Sequence, residues 1–151
     1  MTRIDVRVQA DDFDIAAEMA AIHGADVGAV ATFTGLCRDE GGRLEALELE
    51  HYPGMAEVAI TATAEAAAGR WPLHALTVIH RHGRIRPGGN IVLVAAASRH
   101  RDAAFEAARF VMDYLKTDAP FWKKEWLAGG GEGEWVDARD ADDAARERWK
   151  A

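Results

Sequence analysis

Residues 98–126 read SRHRDAAFEAARFVMDYLKTDAPFWKKEW, and this stretch decides how the chain folds around its most unusual side chains. At about 100° per residue, the apolar positions of 102–117 recur on one arc of a helix, while charged positions occupy another. Pro120 ends this helix, because its ring clashes with a continuing turn and disfavours helical backbone at Ala119. The alternation in FWKKEW, residues 121–126, predicts a returning strand. The apolar arc comprises Ala104, Phe105, Ala108, Val111, Met112 and Leu115, and Phe110 and Tyr114 lie opposite it, so we expect the helix to be covered on two sides.

Lysine is distributed unevenly along the chain. Of 18 basic residues four are lysines, and Lys116, Lys123 and Lys124 lie within nine positions. A helix end, a short turn and a strand place Lys116 near Lys123, and His100 and Arg101 precede the helix where its N–H groups attract anions. The pattern therefore predicts an anion site. A purely structural interpretation stays open, since helix dipoles favour terminal lysines and edge strands use lysines to block pairing.

The composition describes one compact domain, residues 1–151, of which 49% are hydrophobic. The net charge of −7 argues against non-specific nucleic-acid binding, so a local basic cluster is more informative here. The apolar run at 91–97 is too short to span a bilayer, and a single cysteine fits a reducing compartment. We expect a cytoplasmic protein that binds neither nucleic acid nor membrane.

The order of predicted elements is β-α-β-β-α-β-β-α-β-β, and paired strands between helices indicate an α+β fold with much antiparallel pairing. The tail from Asp140 is predicted as either a short helix or a disordered segment. Strands are predicted at 3–9, 28–35, 44–52, 73–83, 91–98 and 121–126, with a final hairpin at 134–139, and helices at 13–22, 53–70 and 102–117.

Two other features, a histidine pair and a single cysteine, are weaker indications of a functional site. His80 and His82 share a strand face in the alternating pattern, but no second ligand pair accompanies them, so a packed or surface pair is the default over a metal site. Cys37 is more typical of a small apolar residue than of a nucleophile. We expect no metal and no cofactor.

Six segments, in order and within about 28–139, resemble one family closely. The chain is similar to the large, catalytic subunit of molybdopterin synthase. The segments are TFTGLCR at 32–38, LEHYPGM at 49–55, RWPL at 70–73, VIHRHG at 78–83, SRHRDAAFEA at 98–107 and MDYLKTDAPFWKKE at 112–125.

The resemblance implies an α/β hammerhead fold with an additional antiparallel sheet, and a sulfurtransferase of molybdenum-cofactor biosynthesis. The family installs a dithiolene on cyclic pyranopterin monophosphate. The sulfur comes from the Gly-Gly thiocarboxylate of a small ubiquitin-like subunit. The large subunits form a homodimer within a heterotetramer.

By the same resemblance, the catalytic residues are Lys116 and Lys123. The substrate-binding positions are Arg38, His100, Arg101, Lys124, Glu125, Phe33 and Met112, with Arg139 lent to the neighbouring protomer's site. Two rival functions stay open: a non-catalytic module that binds an acidic Gly-Gly tail, and a phosphate-ester hydrolase that uses His100.

Overall fold

The structure is a computed structural model, which describes residues 1–117, 120–136, 147 and 149–150, without the side chains of residues 134 and 136. Eight strands and three helices lie in this described part. They are β1 Arg3–Gln9, α1 Ile15–Ala21, β2 Ala29–Leu36, β3 Leu44–His51, α2 Met55–Arg70, β4 Leu73–Arg81, β5 Gly83–Ile85, β6 Asn90–Ser98, α3 Arg101–Leu115, β7 Phe121–Leu127 and β8 Gly131–Val136.

The strands form two sheets, each of four strands. The first sheet has the order β1-β4-β6-β2, and β1 runs parallel to β4 while the other pairs are antiparallel. The second sheet has the order β5-β3-β7-β8 and is antiparallel throughout. The predicted α+β class with extensive antiparallel pairing is confirmed.

The predicted strand over 73–83 was wrong at its end. β4 stops at Arg81, and Gly83–Ile85 forms a separate strand that belongs to the second sheet. Gly83 has a φ of 90°, a left-handed conformation that costs glycine little and turns the chain from one sheet into the other. The element order therefore contains one more strand than the sequence pattern predicted.

The main core lies between the first sheet and helices α2 and α3. Strand β6 is its centre, with every side chain from Val92 to Ser98 buried, as the apolar run predicted. Helix α3 presents Ala104, Ala107 and Val111 to this sheet, and the alanines allow a close approach.

The second side of α3 is covered as predicted, although one predicted core residue is not buried. Phe110 is buried against the rings of Trp71 and Trp149, at centroid distances of 5.4 Å each. Phe105 is 63% exposed, because it lies at the border of the apolar arc, beyond the reach of the sheet. Burial of α3 is thus shared between the sheet and the end of the chain.

Most of the predicted tail, and residues 137–139 of the last predicted hairpin, lie outside the described residues. Trp149 is one of the tail residues that the structure does describe. It donates a hydrogen bond from Nε1 to Asp113 Oδ2 at 2.6 Å and accepts one from Arg70 at its carbonyl oxygen. In the part of the chain that the structure describes, no helix has the length and apolar character needed to cross a membrane.

Candidate functional site

Lys116 and Lys123 come from the two elements that flank the turn at Pro120. Lys116 is the C-cap of α3, its amide donates to the carbonyl oxygen of Met112, and its side chain is exposed. Lys123 lies on β7, half-buried, directly opposite Leu49 of β3. Register partners in an antiparallel pair share a face, so Lys123 points to the side on which Leu49 is buried.

The charges of both lysines act on one buried histidine. His80 of β4 stacks on Phe121 of β7, with ring centroids 3.7 Å apart and an angle of 13° between the planes. Burial, and to a smaller extent the positive charges of Lys123, Lys116 and His51, together lower the pKa of His80 to about 4. Both ammonium groups therefore act on one ring, at the junction of the two sheets.

Two further histidines extend this contact into a row of rings, which we call the histidine stack: His80, Phe121, His51 and His82. The centroid of His51 lies 6.0 Å from that of Phe121 and 4.4 Å from that of His82. Burial, followed by the charge of His51, lowers the pKa of His82. His80 and His82 thus contact different rings, and the described residues contain no group of three or more His, Cys, Asp or Glu side chains that could hold a metal.

The strand alternation places Lys124 on the face of β7 opposite to Lys123. Lys124 forms an ion pair with Glu132, and its Nζ lies 5.3 Å and 5.4 Å from the ring centroids of Trp126 and Trp135. Such contacts stabilise a cation over an aromatic face. Lys124 is therefore engaged on the outer side of the second sheet.

Glu125 holds an arginine from the loop that follows β2. Its carboxylate accepts from Arg43 Nη2 at 2.6 Å and from Nη1 at 3.2 Å, a two-point contact. Hydrogen bonds from Arg43 to Glu125 and then to Glu40 raise the pKa of the guanidinium. This contact ties the loop to β7, close in register to Lys123.

Arg38 lies in the same loop with its side chain largely exposed, and its Nη2 is 4.0 Å from Glu40 Oε1. The preceding Cys37 anchors the loop, because its amide donates to Gly89 and its carbonyl accepts from Gly88. Burial raises the pKa of the Cys37 thiol, in agreement with its interpretation as a small apolar residue. Of the predicted pocket positions, Phe33 is 42% exposed on β2 and Met112 is buried on α3.

His100 and Arg101 lie at the end of α3 opposite to Lys116. His100 is the N-cap, with extended backbone and no capping bond from its side chain, and both side chains are exposed. A 15-residue helix is about 22 Å long. One chain therefore does not bring these two residues together with the lysine pair. Arg139, predicted to serve a neighbouring protomer, lies outside the described residues.

Three residues of this region had no predicted role in the site: His51, Phe121 and Arg43. His80 was considered only as a metal ligand or a packed histidine. The alternation in VIHRHG and FWKKEW indicates which residues share a face. It does not indicate that faces of two different sheets meet.

The described residues form an α+β protein of two sheets and three helices, in which the charges of Lys116 and Lys123 act on His80 where the two sheets meet. The family model described as "MoaE protein" matches residues 8–118. The chain belongs to the MoaE family, which confirms the resemblance found in the sequence.

Curated and solved proteins agree with this assignment. A "Molybdopterin synthase catalytic subunit" from Mesorhizobium japonicum is 66% identical over 148 residues, which cover 97% of this chain and 93% of the relative. The structure of "Molybdopterin biosynthesis MoaE protein" from Burkholderia ambifaria has a TM-score of 0.83 and 49% identity, covering 98% of this chain and 99% of the other. A Helicobacter pylori "protein-protein complex of subunit 1 and 2 of Molybdopterin-converting factor" has a TM-score of 0.70 and 18% identity, covering 91% and 90%, and shares the fold.

Proposed function

We propose that this chain is the catalytic subunit of a molybdopterin synthase and acts as a sulfurtransferase. It transfers sulfur from the C-terminal thiocarboxylate of a small ubiquitin-like partner to cyclic pyranopterin monophosphate, and two transfers build the dithiolene. The observation that carries the proposal is the stacking of His80 on Phe121, two residues before Lys123, together with the effect of the Lys123 and Lys116 charges on the same ring. The name and 66% identity of the Mesorhizobium relative support the choice of reaction.

Both reactants are anions, which explains why the site needs lysines. Two like charges 4 Å apart repel by about 4 kcal/mol at an effective dielectric constant near 20. Lys116, exposed at the rim, orients the thiocarboxylate, and the half-buried Lys123 serves proton transfer at the pterin. The thiocarboxylate sulfur bonds to a side-chain carbon of the pterin as an oxygen leaves that carbon, and water then cleaves the acyl–sulfur bond, which releases the partner as a carboxylate and leaves the sulfur on the pterin. A second loaded partner repeats the step at the neighbouring carbon. One of the two departing oxygens leaves as water and the other belongs to the phosphate ester, so the cyclic phosphate opens.

The phosphate requires further hydrogen-bond donors, which we assign to Arg38, His100 and Arg101. Because α3 separates the last two from Lys116 by about 22 Å, they serve the site of a second copy of the chain. A homodimer with one small subunit on each copy, a heterotetramer in the cytoplasm, meets this requirement. Arg139 would join the same shared site.

A reconstituted reaction tests the function directly. The chain is mixed with the thiocarboxylated partner and the cyclic pterin, and dithiolene is followed with and without the partner. We expect product only with both. Binding of the partner without any product would contradict the proposed enzyme and favour a non-catalytic tail-binding module. Turnover of phosphate esters without the partner would favour a hydrolase.

Lys116→Ala is the first variant for this assay. We expect dithiolene formation to slow by about tenfold or more, because the thiocarboxylate loses a charged partner. Lys150→Ala removes the charge of an exposed lysine paired with Glu147 and is the matched control. Unaltered dithiolene formation by Lys116→Ala would refute the role of this residue.

A further inference from the structure

His80 is a buried polar side chain at the centre of the site, and the proposed reaction gives it no role. It is 7% exposed, and its strand lies between β1 and β6 with Val8 and Val92 as register partners. The groups that face it are Phe121 and Lys123 from β7, Lys116 from the end of α3, and His51 from β3. A buried histidine beside two lysines requires a physical reason.

The hydrogen bond of His80 fixes which ring nitrogen carries the proton. Nδ1 lies 2.9 Å from the carbonyl oxygen of Arg81, and a carbonyl only accepts, so Nδ1 is the donor. With its pKa lowered to about 4 by burial and the two lysines, the ring is uncharged at neutral pH. Its Nε2 is then an unprotonated acceptor on a ring whose pKa is lowered by the charges of both lysines.

The ring contact links His80 to the position of Lys123. Phe121 precedes Lys123 by two residues on β7, so the two side chains leave the same face of the strand. The nearly parallel stacking of His80 on Phe121 fixes the start of β7 against β4 of the other sheet. The direction in which Lys123 leaves its strand therefore depends on this contact.

We propose that His80 is a positioning residue for the lysine pair: its ring holds Phe121 in place, and its Nε2 accepts a hydrogen bond from the Lys123 ammonium during sulfur transfer. Lys123 is chosen over Lys116 because it leaves the same face of β7 as Phe121, whose ring stacks on His80. This inference rests on the proposed function, whose reaction gives Lys123 its task.

Two substitutions of His80 separate the contribution of the Nε2 acceptor from that of the ring contact with Phe121. His80→Phe keeps an aromatic ring against Phe121 but has no nitrogen, and His80→Gln supplies an oxygen acceptor near the position of Nε2 without a ring. We expect His80→Phe to lower kcat by about ten- to a hundredfold, the usual effect of losing a hydrogen bond to a charged group. The KM for the partner should stay within about twofold. His80→Gln should recover part of the kcat lost in His80→Phe, because it restores the acceptor but not the ring contact with Phe121.

His74→Phe is the matched control, since His74 is an exposed histidine on the same strand; its kcat should equal that of the unsubstituted chain. Urea unfolding verifies that each variant is folded. A His80→Phe variant as active as His80→Gln would overturn the inference, because a merely structural role favours the variant that retains the ring.

An NMR measurement on the unsubstituted chain tests the protonation state of His80 without an activity assay. Long-range ¹H–¹⁵N NMR should show His80 with its proton on Nδ1 and uncharged down to about pH 5. Lys123→Met should shift the Nε2 resonance, whereas Lys150→Met should not. A charged or Nε2-protonated His80 at neutral pH would overturn the inference even if dithiolene forms. Failure of the unsubstituted chain to form dithiolene would instead overturn the proposed function.

Discussion

At the scale of single residues, His80 shows how burial and nearby charge select one form of a side chain. The ring is packed on Phe121 and bonded to the Arg81 carbonyl, and protonation would place a third positive charge beside Lys116 and Lys123. The uncharged ring is therefore the form that the fold accommodates. Stability depends on pH as a consequence.

We predict that the free energy of unfolding decreases at acid pH because of the protonation of His80. Its pKa is 6.5 before burial and about 4 in the folded chain, so the unfolded state binds the proton first as pH falls. The contribution is complete above pH 6.5 and lost between pH 6.5 and 4, by roughly 3 kcal/mol. Urea unfolding from pH 7 to 4 measures it as a loss of stability relative to His80→Phe, which does not titrate. A constant difference between the two chains would contradict this.

At the scale of elements, the start of β2 is fixed against the end of β6. The Gly28 amide donates to the Ser98 carbonyl at 3.0 Å, and a Cβ on Gly28 would lie 2.3 Å from the carbonyl oxygen of Arg99. That oxygen belongs to backbone, which cannot move aside as a flexible side chain does. This close contact between the two backbones positions the residues that lead from β6 into α3.

We predict opposite effects for two glycine substitutions. Gly28→Ala should lower the free energy of unfolding by about 1–3 kcal/mol, because backbone must move. Gly69→Ala, in helix α2 with open space around its Cβ position, should raise it by about 0.5–1 kcal/mol. Urea unfolding of both variants checks the pair. Equal stabilities would contradict the close approach at Gly28.

Local sequence patterns predicted the individual helices and strands better than the way in which these pack together. Helical spacing and Pro120 predicted α3 and its end within two residues, and alternation predicted β7 with Lys123 and Lys124 on opposite faces. The contact of His80 with Phe121 was not predictable in this way, because it joins strands of two different sheets. The turn at Gly83 was missed for a related reason: alternation continues across it, while the backbone changes sheet.

At the scale of the whole molecule, an acidic chain carries predicted catalytic or substrate-binding side chains at both ends of one helix. The net charge is −7, yet Lys116 lies at the end of α3 and His100 and Arg101 lie at its start. A site that uses both groups needs two chains, in which one helix start meets the other chain's lysine pair. The proposed homodimer is thus a requirement of the proposed chemistry.

Mixed dimers test this arrangement. Lys123→Ala and His100→Ala chains should each be impaired alone. After random exchange, half of all dimers contain one chain of each kind, and each of these heterodimers has one intact site out of two. We predict recovery of about a quarter of the unsubstituted activity after the chains are exchanged in equal amounts. No recovery, with exchange verified by mass spectrometry of differently tagged chains, would place both residues in one chain's site.

The most direct test is a single-turnover measurement of dithiolene formation by Lys123→Ala, with thiocarboxylated partner and cyclic pterin. Binding of the partner is measured in parallel, and Lys150→Ala is the control. We predict that Lys123→Ala forms dithiolene at least about a hundredfold more slowly, as expected for a lost proton-transfer group, while the Kd for the partner stays within about threefold. An unaltered rate, or weakened partner binding with an unaltered rate once bound, would contradict a catalytic lysine at the junction of the two sheets.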